Sequence, residues 1–345
     1  MMSSEKQSSP ITKGNRTFFP DVAVLRSLSI MAVVAFHTTG MMYADAHFPA
    51  TKELYHSVYY AFNQCLLINV AMPMFVFLSG YLFHYQLATG RVTSFVGMVR
   101  KKVLHILVPY FVFGLVMMAT TANFNPISLF RGGYWHLWFL PMLFWCFVVS
   151  YALRRLTRSI YYVAILISAF GVSLCGKFLP QIMGLHYITV WYCWFIFGGV
   201  VFLFCEQISS FMRRYRLQWL FILSYVILTV LHPVPYGERT WFATLAQAGV
   251  VVALWLVFHT LRPAVIHRLH PLVWLSRYSY GIYIFHNWLA VYLISSTAQR
   301  LLPLASWAEH HVVLFPLCFF LITMLFSFAC SWLLLKTRVG KFLIG

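Results

Sequence analysis

The chain has 345 residues, of which 61% are hydrophobic and only 9% are charged. A soluble domain carries about 25% charged residues, so this composition excludes an ordinary globular enzyme, a disordered chain and a fibrous repeat. The mean hydropathy of +0.77 is typical of a protein that crosses a bilayer many times. The basic excess, 25 Lys and Arg against 7 Asp and Glu, fits loops that face anionic lipid, so we expect membrane lipids and no nucleic acid as partners.

The order of polar and apolar segments predicts an all-α integral membrane protein with about ten transmembrane helices and no separate soluble domain. Residues 1–20 are polar and predict a disordered cytoplasmic tail, residues 21–335 predict the membrane domain, and residues 336–345 predict a second tail. A spanning helix needs about 20 apolar residues. Pro73 and Gly80 are the expected bend points of the long second segment. The apolar segments lie near 21–43, 57–87, 103–122, 135–153, 159–176, 186–205, 217–232, 240–261, 279–298 and 311–335.

The distribution of basic residues predicts the orientation of these helices. If both termini are cytoplasmic, 19 of the 25 Lys and Arg fall in cytoplasmic segments, 5 fall on the opposite side, and Arg26 lies inside the first helix. Basic residues concentrate on the cytoplasmic side of membrane proteins. The bias holds at every loop, which favours ten helices with both ends inside. The 7 cysteines all fall in apolar segments and are interpreted as small buried hydrophobic residues.

Arg26 and His37 are unusual inside an apolar first helix, because polar side chains at membrane depth are costly and mark functional sites. The two residues are 11 positions apart. This separation is almost three helical turns, so they lie on one face about 16 Å apart along the axis. A snorkelling arginine and a hydrogen-bonded core histidine are the structural alternative.

The run VAVLRSLSIMAVVAFHTTG, residues 22–40, resembles the first helix of the acyltransferase-3 family of membrane acyltransferases, which is marked by an Arg followed by ten residues and a His. Further segments of the chain resemble other motifs of the family, in the order in which the family has them. The segment at residues 191–200, given last below, is a looser match than the others. These segments are PMFVFLSGYLF (73–83), RKKVLHILVPY (100–110), HLWFLPMLF (136–144), WLSRYSYGIYIFH (274–286) and WYCWFIFGGV (191–200).

This resemblance implies an O-acyltransferase of a bacterial cytoplasmic (inner) membrane. Family members take an acyl group, usually acetyl, from cytoplasmic acyl-coenzyme A and deliver it to a hydroxyl, here expected on a cell-surface polysaccharide or lipid-linked glycan. The resemblance makes His37 the catalytic histidine, either as general base or as a nucleophile that carries the acyl group. The resemblance also implies that the Arg26 guanidinium binds either a phosphate of coenzyme A or the carbonyl of the thioester. Some members append an extracytoplasmic hydrolase-like domain, for which we expect no room in this chain.

Arg100, Lys101 and Lys102 precede the third helix at its expected cytoplasmic end. A basic loop is a suitable docking surface for the phosphates of acyl-coenzyme A, the expected cosubstrate. Positive-inside anchoring explains the same residues equally well. His105 stands where family members often carry Arg, which weakens a phosphate-binding role for that position.

Tyr283 and His286 are three residues apart on the ninth helix and therefore share a face. The expected depth of His286 is similar to that of His37, so the two histidines would flank one cavity if the first and ninth helices are neighbours. His136 and Trp138 lie at the outer end of the fourth helix, where they either belong to an aromatic belt or line the entrance of the acceptor.

The Asp and Glu residues all fall in expected loops or at helix ends, which argues against a proton-coupled transporter. Asp45 and Glu53 are the nearest acids that could orient His37. No histidine pair has metal-ligand spacing backed by a carboxylate, so we expect no metal. The rival interpretations are a flippase- or polymerase-like membrane protein without acyl-coenzyme A chemistry, and a sensor or structural protein with an inactive family fold.

Overall fold

A computed structural model describes residues 11–13, 16–44, 59, 62–63, 67–120, 124–154, 159–231, 240–294 and 305–345. Asp45, Glu53 and the first part of the second apolar segment lie outside the described residues. The structure is dominated by helices that run the length of a bundle.

Eleven longer helices and one terminal helix carry the fold of the described residues. They are α1 (Pro20–Ala44), α2 (Ile68–Ala88), α3 (Phe95–Thr120), α4 (Phe139–Leu153), α5 (Ser159–Leu174), α6 (Ile188–Leu203), α7 (Cys205–Arg214), α8 (Leu217–Leu231), α9 (Trp241–His259), α10 (Ser279–Ile294), α11 (Leu314–Lys336) and α12 (Arg338–Ile344). A π-helical turn, Val103–Leu107, interrupts α3, and a 3-10 turn, Trp135–Trp138, leads into α4.

Within the described residues, seven helices are long and apolar enough to cross a membrane. The pair α7 and α8 is bent by 77° and makes an eighth span if it is counted as one. Helices α5 and α10 are apolar but each has only 16 described residues, fewer than the roughly 20 of a full span. Each of the ten predicted apolar segments contains a helix, so the all-helical membrane fold is confirmed, whereas the count of ten spans and the orientation of the termini remain predictions.

The N-terminal segment differs from the expected disordered tail. Strands β1 (Ile11–Lys13) and β2 (Arg16–Phe18) pair in antiparallel register, with Ile11 opposite Phe18. Residues 11–13 and 16–18 thus satisfy backbone hydrogen bonds locally, and the assignment of residues 1–20 to a cytoplasmic tail stays a prediction. Helix α2 runs unbroken through Pro73 and Gly80, and so neither residue interrupts it.

Backbone contact between α2 and α6 forms the tightest helix pair near the centre of the bundle. A Cβ atom on Gly80 would overlap the carbonyl oxygen of Phe195, and one on Gly198 would overlap that of Phe77. Glycines on both helices therefore allow their backbones to touch. Membrane helices associate through such small-residue contacts, since lipid supplies no hydrophobic driving force between them.

Helix α1 is central to the bundle and contacts α2, α9, α10 and α11. The Ser27 hydroxyl donates a hydrogen bond of 2.6 Å to the carbonyl of Leu272, shortly before α10 begins. This bond fixes the level of α10 along α1. His37, which lies ten residues further along α1, is thereby brought beside the first turns of α10.

We expect Gly198→Ala to destabilise the protein, because the added methyl group would force α2 and α6 apart at Phe77. Overpacking of this kind costs about 1–3 kcal/mol. Thermal unfolding of the detergent-solubilised protein measures the effect. Gly171→Ala in α5 is the matched control, since its Cβ would meet nothing within 4 Å. Equal unfolding temperatures for the two variants would contradict the close contact between α2 and α6.

Candidate active site

Three histidines from distant parts of the chain meet where α1, α10 and the 3-10 turn before α4 converge. The ring centroids of His37 and His286 are 4.9 Å apart, those of His136 and His286 are 4.8 Å apart, and those of His37 and His136 are 6.3 Å apart. His136 and His286 are buried, whereas His37 is partly exposed. We call these three residues the histidine cluster.

Backbone carbonyls determine which ring nitrogens of His37 and His286 carry a hydrogen. His37 Nδ1 lies 2.9 Å from the carbonyl oxygen of Val33, and His286 Nδ1 lies 2.7 Å from that of Tyr283. A carbonyl oxygen only accepts, so both Nδ1 atoms donate, and in the neutral rings both Nε2 atoms keep a lone pair. His286 Nε2 lies 3.3 Å from His37 Nδ1 and accepts a share of its hydrogen.

His136 is held in the opposite tautomer by residues of α10. Its Nε2 donates to the carbonyl oxygen of Ile284 at 3.1 Å, and its Nδ1 accepts from Asn287 Nδ2 at 3.3 Å. The Tyr283 hydroxyl donates a short hydrogen bond to the backbone carbonyl of His136. Three contacts to one helix therefore fix the 3-10 turn against α10, and His136 is buried in the cluster rather than placed in an exposed aromatic belt.

Asn287 is a site residue that the sequence analysis did not identify. It is buried, and its Oδ1 has no hydrogen-bond partner within the described residues. Its Nδ2 donates to His136, so the Oδ1 is a buried acceptor beside the histidine cluster. A polar side chain next to a motif histidine in an apolar helix was the available sequence signal.

His37 Nε2 is the nitrogen of the cluster best suited to accept a proton. Its Nδ1 is held by Val33 and His286, so a proton taken up at Nε2 leaves an imidazolium whose charge the Val33 carbonyl and the His286 lone pair stabilise. Within the described residues no carboxylate contacts His37, and the predicted candidates Asp45 and Glu53 lie outside them. The arrangement can support a general base or, through the same lone pair, a nucleophile.

The cluster lacks the geometry of a metal site. In the part of the chain that the structure describes, no group of three or more His, Cys, Asp and Glu could hold a metal ion. Each of the three imidazoles uses one nitrogen on a backbone carbonyl. The remaining lone pairs do not converge, because that of His136 accepts from Asn287 and that of His286 faces the Nδ1 of His37.

Arg26 lies 11 residues before His37 on the continuous helix α1, which separates the two residues by about 16 Å along the axis. Its guanidinium is partly buried and has no hydrogen-bond, ion-pair or ring partner within the described residues. Such a group is available to an anion. The distance to His37 is longer than an arginine side chain, so one small group cannot touch both residues.

The other predicted site residues lie apart from the histidine cluster. Arg100 and Lys101 are exposed in the last turn before the π-helical turn of α3, whereas the Lys102 ammonium lies 3.5 Å from the centre of the Phe147 ring. Trp138 packs against the Tyr187 ring, with 4.5 Å between centroids, and against α6. The structure thus brings His37, His136, Tyr283 and His286 together and leaves Trp138 and the basic residues outside the group.

The sequence profile of the acyltransferase-3 family, described as an acyltransferase domain, matches residues 19–336. The chain belongs to the acyltransferase-3 family. The matched region contains nearly the whole chain and every residue of the histidine cluster. With its membrane-spanning helices, this membership supports a membrane acyltransferase. Comparison with curated proteins and comparison with solved structures give no significant match.

Proposed function

We propose that this membrane acyltransferase moves an acyl group, most simply acetyl, from cytoplasmic acyl-coenzyme A to a hydroxyl of a cell-surface polysaccharide or a lipid-linked glycan. The observation that carries the proposal is the unprotonated Nε2 of His37, held in the histidine cluster of a chain from an acyltransferase family. A bacterial cytoplasmic membrane is the compartment in which such a donor and such an acceptor meet.

In the proposed reaction His37 is the general base. Its Nε2 removes the proton of the acceptor hydroxyl while the oxygen attacks the thioester carbonyl of the donor. The carbon–sulfur bond then breaks, and the coenzyme A thiolate takes the proton back from His37. His286 and the Val33 carbonyl stabilise the imidazolium in between. The Oδ1 of Asn287, which has no hydrogen-bond partner within the described residues, is the proposed acceptor for a further hydroxyl of the acceptor sugar.

A covalent route is the alternative within the same function. In it, His37 Nε2 attacks the thioester carbon itself, and the acyl-imidazole is then cleaved by the acceptor hydroxyl. Both routes need the same bare nitrogen. They differ in whether an acyl group is retained on His37 when the donor is supplied without an acceptor.

Arg26 fits a phosphate of the donor better than the thioester carbonyl. A carbonyl that reacts at His37 lies about 16 Å along the helix axis from Arg26. The pantetheine arm of coenzyme A separates its sulfur from its phosphates by an extended chain of comparable length. The Arg26 guanidinium, which has no partner within the described residues, would hold those phosphates by charge-assisted hydrogen bonds.

We expect His37→Ala to reduce acyl transfer by at least a factor of about 10²–10⁴, the usual contribution of a general base. Transfer of labelled acetyl from acetyl-coenzyme A to surface glycan measures the rate in cells with equal amounts of each variant. His84→Ala is the matched control, because His84 Nδ1 bonds the carbonyl of Gly80 at 2.8 Å in the same way and its ring packs on Tyr162 and Phe195. Transfer at the wild-type rate by His37→Ala would contradict the proposal.

We also expect the double substitution Arg100→Glu and Lys101→Glu to raise the KM for acyl-coenzyme A at least tenfold. Each charge-assisted phosphate contact is worth about 1.5–3 kcal/mol. The control is Arg213→Glu with Arg214→Glu, since this exposed pair also ends a helix, α7, and carries the same charge. If both double variants show the same KM as the wild type, Arg100 and Lys101 serve only to anchor the loop.

A further inference from the structure

A second group of reactive side chains lies at the opposite end of α1 from the histidine cluster. Asp21 is in the first turn of α1, Cys205 is the first residue of α7, and His259 is the last residue of α9. His259 Nδ1 lies 2.8 Å from Asp21 Oδ2, and His259 Nε2 lies 3.6 Å from Cys205 Sγ. Three helices that are remote in sequence therefore bring these groups together, with the imidazole between the carboxylate and the thiol.

The hydrogen bonds of this group have the polarity that activates a thiol. The Asp21 carboxylate accepts from His259 Nδ1–H, so in the neutral imidazole the lone pair of Nε2 faces the Cys205 sulfhydryl. A thiol whose proton passes to such an imidazole becomes a thiolate, which is the nucleophilic form of cysteine. The Trp255 ring stacks on the His259 imidazole at 4.7 Å and 16° and so fixes its plane.

Cys205 lies at the junction of two helices, because α6 ends at Leu203 and α7 begins at Cys205. Its side chain is partly exposed, whereas Asp21 is only 4% exposed and so is shielded from water. The expectation that the cysteines are buried hydrophobic residues is wrong here, since a polar network holds this thiol.

Other cysteines of the described chain have different surroundings. Cys146 is buried with its sulfur near the Met142 sulfur, and Cys193 is buried and bonds the Val190 carbonyl. Cys175 is exposed and bonds the carbonyl of Gly171. Carbonyl and thioether partners do not remove a proton from a thiol, so these residues serve as references for an ordinary cysteine.

The group is too far from the histidine cluster to act in the same step. Asp21 and His37 are 16 residues apart on the continuous helix α1, which is about 24 Å along its axis. An acyl group on Cys205 could not contact His37 without leaving the thiol. The two centres are therefore separate chemical sites at different levels of the bundle.

We propose that Cys205, His259 and Asp21 form a second reactive site at which Cys205 accepts an acyl group from a cytoplasmic acyl thioester. The choice of acyl-coenzyme A as the thioester rests on the function proposed above. Cys205 Sγ forms a bond to the carbonyl carbon of the thioester, and the bond from that carbon to the donor sulfur breaks. His259 takes the proton of Cys205 and passes it to the departing thiolate. The products are S-acyl Cys205 and the free donor thiol, with no change in oxidation state.

The test is incubation of the purified full chain with labelled acetyl-coenzyme A in the absence of a glycan acceptor. We expect the label to survive denaturation of the protein. Neutral hydroxylamine should release it, as it does from thioesters, and peptide mass spectrometry should locate it on Cys205. Cys205→Ser should abolish it, and His259→Asn should slow it at least tenfold, since a general base contributes a factor of about 10²–10⁴. Cys175→Ser is the matched control and should label at the wild-type rate.

Two further measurements separate this site from the proposed transfer reaction. His37→Ala should lose transfer to glycan but keep the label on Cys205, so that the failure of one proposal is visible without the failure of the other. Iodoacetamide should alkylate Cys205 at least tenfold faster than Cys175 in the wild type. The proposal is overturned by an unlabelled wild-type protein, by label that persists in Cys205→Ser, or by equal labelling rates in His259→Asn and the wild type.

Discussion

The proposed chemistry depends on the hydrogen bonds of His37 Nδ1, because together they decide which nitrogen of His37 is left to react with a substrate. His37 Nδ1 is shared between Val33 and His286, and only Nε2 remains for proton transfer. A catalytic histidine is commonly oriented by a carboxylate. Here, among the described residues, a backbone carbonyl and a second imidazole take that position, so the site is built from neutral groups. Neutral groups suit the interior of a bilayer, where an unpaired charge is expensive.

The rest of the fold positions the hydrogen bond between His37 and His286. Glycine contacts hold α2 against α6, α1 lies against α10, and the Ser27 hydroxyl fixes the level at which α10 begins. His136 joins the pair because Ile284 and Asn287 hold its ring against α10. A shift of α10 by one helical turn, about 5.4 Å, would separate His286 from His37 and remove the orientation of the base. The position of the helices is therefore as important to the proposed activity as the identity of the histidines.

Much of this arrangement was predictable from the sequence. Apolar length identified the helices, and the 11-residue spacing of Arg26 and His37, together with the three-residue spacing of Tyr283 and His286, placed each pair on one face. The expected proximity of His37 and His286 is confirmed. Their catalytic roles, and that of Arg26, remain predictions.

Other features depend on tertiary contacts that local sequence patterns do not encode. The 3-10 turn places His136 in the histidine cluster and Trp138 on Tyr187, although the two residues are only two positions apart. Asp21, Cys205 and His259 each looked unremarkable at a helix end, and only the packing of three helices makes them a chemical group. Contacts between residues 54 and 238 positions apart carry no periodic signal in the sequence.

The proposed role of His37 as a base depends on its tautomer, which can be measured. Nitrogen NMR of the protein with labelled histidine, with the His37 signals assigned by their loss in His37→Gln, reports which ring nitrogen carries the hydrogen. We expect a neutral ring with hydrogen on Nδ1 and a bare Nε2. A neutral ring with hydrogen on Nε2 would contradict it, because that nitrogen could not then accept the proton of the acceptor hydroxyl.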